Sequence, residues 1–456
     1  MKKFFVFLLA LLFISSSAYA SSEQSYEAVY LGVKDYGQLE KSENADLKNH
    51  IHCFFINGET VELKVYPGEF KEDAYNYPLN NRLQEGYLYE ITVSEDMVTD
   101  LVLLDERAHV KKIKDDRISF DHASYFIDEN TGFYQIEMSA GRSEVLKVPA
   151  KKVKGKTVFY TLDGDTVSNV YATFDVEDYT SPVDYTPGEK TLKNFLKTAL
   201  HPVGAALYIY GGTWDYQDEG SSIQSTTIGI PSSWIDFFQM QDASYSYRDV
   251  DGNAELQDPA NSYYPYGAWN QYYYAGADCS GYVAWVMYNC LNSVSGGEGF
   301  VMGATKMAKS FNGMGLGDYT QDLPMRDGQP FIKPGSIFSM NGHVWISLGT
   351  CEDGSIVIVH STPSDSKLGQ PGGGIQISAL GSKSSEAYKL AKFYMKKFYP
   401  DWSKRYDVVT KDGYLEFKKE SAAGLFEWDL LNGPLTDPEG YCDMSPAEIL
   451  QDIFGE

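Results

Sequence analysis

The sequence is poor in cysteine, in basic residues and in long apolar runs. Five cysteines in 456 residues are too few for a disulfide-rich scaffold, and none has the Cys/His spacing of a zinc site. Lys and Arg total 38 against 63 Asp and Glu, which gives a formal net charge of −25. This acidity disfavours a nucleic-acid partner and a polybasic membrane anchor, because both need a basic face.

The longest clear apolar run lies at the N-terminus. Lys2 and Lys3 precede the apolar stretch Phe4–Ile14, and a small-x-small sequence, Ala18–Ala20, follows it. This order is typical of a secretory signal, and the stretch is too short to span a bilayer comfortably. We predict a signal peptide over residues 1–20, a secreted or cell-envelope location (extracellular or periplasmic), and no stable membrane anchor after cleavage. An uncleaved anchor is the alternative.

Composition divides the rest of the chain into a β-rich part and a mixed part. Short β-branched and aromatic runs separated by turn signals predict a β-rich domain over 21–112 and a second β-rich module over 113–176. A polar, proline-containing segment over 177–189 reads as a linker. Helical periodicity then begins a larger domain over 190–456, with a long aromatic insertion over 213–277 and a C-terminal extension. The β-region is predicted to be a spacer or a wall-binding module.

Cys279 stands where a helix is predicted to begin. The segment Asp278–Tyr288 starts with small polar residues and continues as an apolar run. A thiol at a helix N-terminus feels the positive end of the helix dipole, which lowers its pKa and suits a nucleophile. The alternative is a buried structural cysteine. Cys290 lies 11 residues further on, about 16 Å along a helix, so the two thiols are too far apart for a disulfide.

Two histidines are predicted on neighbouring strands of one hairpin. His343 begins the strand pattern of 342–349, and His360 lies near the end of 355–361. A tight two-residue turn would offset the two side chains, whereas a longer loop or a β-bulge would bring them together. In that arrangement His343 accepts the proton of Cys279 and His360 orients the imidazole. Taken singly, such histidines are more often surface or satisfied core residues.

The order of these segments resembles the NlpC-like cell-wall cysteine peptidases, a papain-like clan. The family signature runs Tyr-x-Trp-Gly-Gly, Asp-Cys-Ser-Gly, Pro-Gly-Asp, His-Val-Gly-Ile and then a third polar residue. The corresponding segments here are Tyr208–Gly212, Asp278–Val283, Pro334–Ser336, His343–Ile346 and His360. Tyr210 replaces the usual Trp, Ser336 replaces the usual Asp, and the insertion over 213–277 is longer than usual. The resemblance covers roughly 190–362.

The resemblance implies an α+β chain whose C-terminal papain-like domain packs helices on an antiparallel sheet, with one or two small all-β domains before it. It implies Cys279 as nucleophile, His343 as general base and His360 as orienting group, without a metal or organic cofactor. Further implied roles place Tyr208 near the oxyanion hole, and Asp278 and Ser280 in the subsite for the peptide amine. Core packing of Tyr208 and helix capping by Asp278 are the alternatives.

The implied activity is hydrolysis of an amide bond in peptidoglycan stem peptide, most simply the γ-D-glutamyl bond to a diamino acid, through an acyl-enzyme on Cys279. The expected partners are that peptide and, through the β-region, the cell wall. Two alternatives remain open. One is an amidase or acyltransferase of the same fold with another secreted substrate. The other is a non-catalytic cell-wall-binding protein.

Overall fold

The structure is a computed structural model that leaves part of the chain undescribed. The described residues are 23–33, 51–65, 83, 86–104, 107–137, 143–173, 179–214, 224–247 and 273–456. The predicted signal peptide over 1–20 and much of the insertion over 213–277 therefore lie outside them. Within the described ranges, no helix combines the length and apolar character needed to cross a bilayer.

The first β-region folds as a closed barrel in which β1, β2, β3, β5 and β4 are neighbours in that order. The strands are β1 Gln24–Val33, β2 Ile51–Ile56, β3 Glu59–Val65, β4 Leu88–Ser94 and β5 Met97–Leu103. Asn57 and Gly58 join β2 to β3 with positive φ values of 51° and 88°, because a two-residue hairpin with the right twist needs the left-handed conformation at both positions.

The second β-region is a separate sheet of seven described strands, in the order β10-β9-β12-β11-β6-β7-β8. The strands are β6 Arg107–Lys114, β7 Arg117–Phe120, β8 Ser124–Phe126, β9 Gly132–Glu137, β10 Glu144–Lys147, β11 Thr157–Asp163 and β12 Thr166–Ala172. The predicted division between 112 and 113 falls inside β6. The sheets instead separate between Leu103 and Arg107, because β6 pairs with β11 and β7.

The C-terminal part packs helices on a mostly antiparallel sheet of eight described strands, in the order β14-β13-β21-β20-β19-β18-β22-β15. Its strands, with the separate pair β16 and β17, are β13 Leu207–Tyr208, β14 Gly276–Ala277, β15 Gly317–Thr320, β16 Met325–Arg326, β17 Gln329–Pro330, β18 Ile337–Met340, β19 His343–Thr350, β20 Ile356–Asp365, β21 Pro371–Leu380 and β22 Gly424–Trp428. The α-helices of the described chain are α1 Leu192–Leu200, α2 Ser232–Met240, α3 Cys279–Leu291, α4 Met307–Gly313, α5 Glu386–Phe398, α6 Pro400–Arg405 and α7 Pro446–Phe454. The predicted α+β class is confirmed.

Helix α3 lies at the centre of this domain. Every residue from Cys279 to Cys290 is buried, as expected for a helix that is apolar on all sides. The core around it also includes Val183, which is 1% exposed, and Gly188 donates its backbone N–H to the carbonyl of Asn289 at 3.0 Å. Residues 181–189 are therefore part of this domain rather than the predicted linker, since their apolar side chains find partners in its core.

A buried ion pair joins the β-region to the C-terminal domain. Arg107, at the start of β6, donates from Nη1 to Oδ1 of Asp236 on α2 at 3.1 Å, and its Nη2 donates to the second carboxylate oxygen. Tyr87 donates its hydroxyl to the same carboxylate. Both Asp236 and Tyr87 are less than 5% exposed, so the contact is largely shielded from water.

Candidate active site

Cys279 is the first residue of α3, and Asp278 caps that helix. The carboxylate of Asp278 accepts hydrogen bonds from the backbone N–H of Gly281 at 2.7 Å and from the hydroxyl of Ser280 at 2.8 Å, which satisfies free donors at the helix start. Gly281 lets the turn after β13 touch the helix, because a Cβ there would lie 1.8 Å from Oγ1 of Thr213. The chain near Tyr208 is thereby held against the first turn of α3.

The sulfur of Cys279 lies against the start of β19. Cys279 is only 6% exposed, and its thiol donates to the carbonyl oxygen of Gly342 at 3.9 Å. Backbone N–H groups of Val344, Ser280 and Cys279 itself act to lower the pKa of this thiol. The thiol thus contacts the backbone of the residue that precedes His343, and its present acceptor is a carbonyl rather than the imidazole.

The two histidines meet on the hairpin of β19 and β20. A five-residue loop over 351–355 and a bulge between Ser347 and Gly349 set the register. Nε2 of His343 lies 2.8 Å from Nδ1 of His360. The sequence-based expectation of a longer loop or a bulge is confirmed. Because Nε2 of His343 is engaged by His360, Nδ1 is the ring nitrogen of His343 that lies outside this contact.

Burial makes the uncharged forms of these groups the stable ones. It lowers the pKa of His343 to about 3, and it holds the pKa of His360 well below its ordinary value. Burial also raises the pKa of the Cys279 thiol, and the neighbouring Asp278 carboxylate adds to that effect. The predicted lowering of the thiol pKa is therefore wrong: the helix dipole and the nearby N–H groups do not offset desolvation.

Tyr208 forms one wall of the site from the end of β13. Burial raises the pKa of its hydroxyl, and electrostatic interaction with Cys279 and Asp278 adds to the increase. Its ring packs edge-on against Tyr247 at 5.3 Å between centroids. Its carbonyl accepts a hydrogen bond from the hydroxyl of Tyr245 at 2.6 Å. The backbone and ring of Tyr208 are thus both held in place.

Asp278 and Ser280 form a short hydrogen-bonded row beside the sulfur. Ser280 donates to Asp278 and accepts from Nε1 of Trp214 at 3.0 Å. Burial raises the pKa of Asp278 to about 6, so the carboxylate is ionised at neutral pH. The capping role considered for Asp278 is confirmed. All six residues expected at the site lie at this end of the sheet around the N-terminus of α3.

Two neighbours of the histidines were missed by the sequence reasoning. Tyr414, in the C-terminal extension, packs its ring 4.7 Å from that of His343 and 5.9 Å from that of His360. Ser378, on β21, places Oγ 3.0 Å from Nε2 of His360. Tyr414 belongs to no recognisable motif. Ser378 lies on the strand beside that of His360, but the pairing register was needed to select it.

Among the residues that the structure describes, one group could offer metal ligands. Atoms of Cys351, Asp353 and Glu386 lie within 4.8 Å of one another, at the hairpin end remote from His343. However, both carboxylate oxygens of Asp353 already accept hydrogen bonds, from Ser355 and from the backbone N–H of Glu386 at the start of α5. The group has the features of a loop and helix cap rather than of a built metal site.

Comparison with known proteins gives no relative: no family model, no curated protein and no solved structure matches the chain. The chemistry of the site is therefore inferred from its own residues.

Proposed function

We propose that the chain is a cysteine hydrolase of the NlpC-like, papain-like type that cleaves an amide bond in peptidoglycan stem peptide. The observation that best supports this is the row formed by Cys279, His343 and His360. The thiol at the start of α3 touches the backbone around His343, and His343 is bound through Nε2 to His360 at 2.8 Å. A nucleophile, a base and an orienting group in this order are the components of acyl transfer.

In the proposed reaction, the proton of the Cys279 thiol passes to Nδ1 of His343 as the sulfur attacks the substrate carbonyl carbon. The C=O electron pair moves to oxygen, which accepts hydrogen bonds from the backbone N–H of Cys279 and the hydroxyl of Tyr208 in this mechanism. Collapse breaks the C–N bond, and the leaving amine takes the proton from His343. Water, deprotonated by His343, then attacks the thioester and regenerates the thiol.

The uncharged resting forms of Cys279 and His343 determine when the proton moves in this reaction. Since burial favours neutral thiol and neutral imidazole, the proton moves when substrate is attacked rather than beforehand. We therefore expect iodoacetamide to label Cys279 at pH 7 more slowly than a free cysteine, whose pKa is about 8.5. Labelling faster than the free thiol, measured by mass spectrometry of peptides, would contradict a neutral resting pair.

The choice of substrate is supported by three features. The sequence segments around the site resemble those of cell-wall peptidases, and the first 20 residues resemble an export signal. The carboxylate of Asp278, ionised at neutral pH, lies beside the sulfur and suits a substrate that carries a free amine near the scissile bond. The γ-D-glutamyl bond to a diamino acid in the stem peptide meets this requirement.

Digestion of purified peptidoglycan with mass analysis of the fragments tests this proposal. The wild-type chain is expected to release fragments cut at the γ-D-glutamyl bond, and Cys279→Ala is expected to release none. Cys290→Ala is a matched control. It removes a buried thiol from the same helix that, like Cys279, donates only to a backbone carbonyl at 3.9 Å. The Cys290→Ala variant should keep the activity of the wild type.

Each other outcome of the digestion has a distinct meaning. Full activity of Cys279→Ala would overturn the assignment of this site. Cysteine-dependent cleavage of a different amide would indicate the amidase alternative, and transfer of the acyl group to an added amine would indicate the acyltransferase alternative. Binding to the wall without any covalent change, by wild type and Cys279→Ala alike, would indicate a wall-binding protein.

A further inference from the structure

Ser378 continues the row of hydrogen bonds beyond the two histidines. It is fully buried on β21, and its Oγ lies 3.0 Å from Nε2 of His360. The other ring nitrogen of His360 faces Nε2 of His343 at 2.8 Å. The row therefore runs from His343 through His360 to the hydroxyl of Ser378. Within it, Nε2 of His343 and both ring nitrogens of His360 have one partner each.

Counting protons fixes the direction of this row. A neutral imidazole has one N–H and one lone pair. If Nδ1 of His343 is to accept the thiol proton, the proton of His343 must reside on Nε2 and be donated to Nδ1 of His360. His360 must then carry its own proton on Nε2, where Ser378 is the acceptor. In the reverse direction His343 would be protonated on Nδ1 and could not act as the base.

Proton transfer from the thiol removes any remaining choice of direction. His343 then carries a proton on both nitrogens, so His360 can only accept at Nδ1 and must donate from Nε2. From this we infer that Ser378 is a positioning residue of the reaction: its Oγ accepts the Nε2 proton of His360 and so allows His360 to stabilise the charged form of His343. This inference rests on the proposed function of Cys279.

Loss of the hydroxyl should affect the charged state more than the resting state. Without Oγ, the Nε2–H of His360 is buried without a partner whenever His343 is charged. A missing partner for a buried donor of this kind corresponds to a loss of roughly ten- to hundredfold in rate. The loss should appear in kcat, since Ser378 is fully buried beneath His360 and is therefore not in contact with substrate.

A pair of isosteric variants separates the hydroxyl from packing. Ser378→Thr adds one methyl group and keeps the hydroxyl, whereas Ser378→Val has the same shape with a methyl group in place of that hydroxyl, so only the Thr variant keeps an acceptor. We expect Ser378→Val to have a kcat at least roughly tenfold below that of Ser378→Thr, with similar KM. Ser339→Ala is the control, because it removes a buried serine hydroxyl of the same sheet that accepts a hydrogen bond from the backbone N–H of Ala308 and does not contact either histidine.

A spectroscopic measurement tests the same point without turnover. In full-length protein labelled with ¹⁵N-histidine, both His343 and His360 should carry their proton on Nε2 in the wild type and in Ser378→Thr. The Val variant should show a mixture of tautomers. Protonation of His360 on Nδ1 in the wild type would overturn the inference.

The kinetic outcomes distinguish this inference from the proposed function. Equal kcat values for the Thr and Val variants, in a protein that still requires Cys279, would overturn the role of Ser378 and leave the proposed function intact. Activity that survives Cys279→Ala would overturn both. A loss in Ser339→Ala as large as that in Ser378→Val would also overturn the inference, because it would attribute the effect to general weakening of the sheet.

Discussion

Mild acid should destabilise the C-terminal domain because two neutral imidazoles are buried in it. Burial lowers the pKa of His343 to about 3 and holds that of His360 well below its ordinary value, whereas a histidine in the unfolded chain titrates near 6.5. Between these values the unfolded chain binds more protons than the folded one. The free energy of unfolding is therefore unaffected by these groups above about pH 6.5 and falls as the pH drops towards 3.

The size of the loss in unfolding free energy follows from the shift in the pKa of each histidine. Each pH unit below the unfolded pKa costs about 1.36 kcal/mol per histidine. Lowering the pH from 7.5 to 5 should therefore cost about 2 kcal/mol through His343, and up to about 4 kcal/mol if His360 contributes equally. Protonation of Asp278, whose pKa burial raises to about 6, acts in the opposite direction and offsets about 1.4 kcal/mol of this cost. Such a loss is a large part of a typical domain stability of about 5–15 kcal/mol.

Tryptophan fluorescence during urea unfolding can measure this loss in the intact chain. All seven tryptophans lie after residue 213, so the signal reports on the C-terminal domain. His343→Asn should be less stable overall but should lose about 2 kcal/mol less than wild type between pH 7.5 and pH 5. His122→Asn, at an exposed histidine of the second β-sheet, should behave as wild type. Equal losses in wild type and His343→Asn would refute the reasoning.

Three other substitutions test the packing and charge of the site and the ion pair between the β-region and the C-terminal domain. Gly281→Ala should destabilise the domain by about 1–3 kcal/mol in thermal unfolding, because the added Cβ meets the turn after β13. Gly313→Ala is the control and should not destabilise the domain, because a Cβ at that position has no atom within 4 Å. If Asp278 holds the substrate amine, KM should rise as the pH falls below about 6, where this carboxylate becomes neutral. Asp278→Asn should flatten the dependence of KM on pH, and an unchanged dependence would exclude the contact. Arg107→Met leaves the buried carboxylate of Asp236 without its ion-pair partner. It should therefore lower the free energy of unfolding in urea by about 3–5 kcal/mol and speed proteolysis between the domains. Wild-type behaviour would show that this contact contributes little.

Several features could be predicted from the sequence because they depend on near neighbours in the chain. The turn at Asn57 and Gly58 follows from residues that tolerate positive φ. The start of α3 at Cys279 follows from a capping Asp278 before an apolar run. The strands that carry His343 and His360 follow from their alternating pattern and the residues between them. Each of these signals is local, and each element begins within a residue or two of its predicted start.

Other features depend on which distant segments pack together, and the sequence does not specify these. Ser378 and Tyr414 reach the histidines only because β21 and the C-terminal extension fold onto the same end of the sheet.

The pKa of Cys279 shows the same limit most directly. The local helix start predicts a lower value, and burial by the surrounding domain raises it. The sequence determined the candidate chemical groups and the local structure that carries them. Their protonation, their neighbours and their access to water were decided by the tertiary structure, because desolvation depends on all the atoms packed around a group and not on its position along the chain.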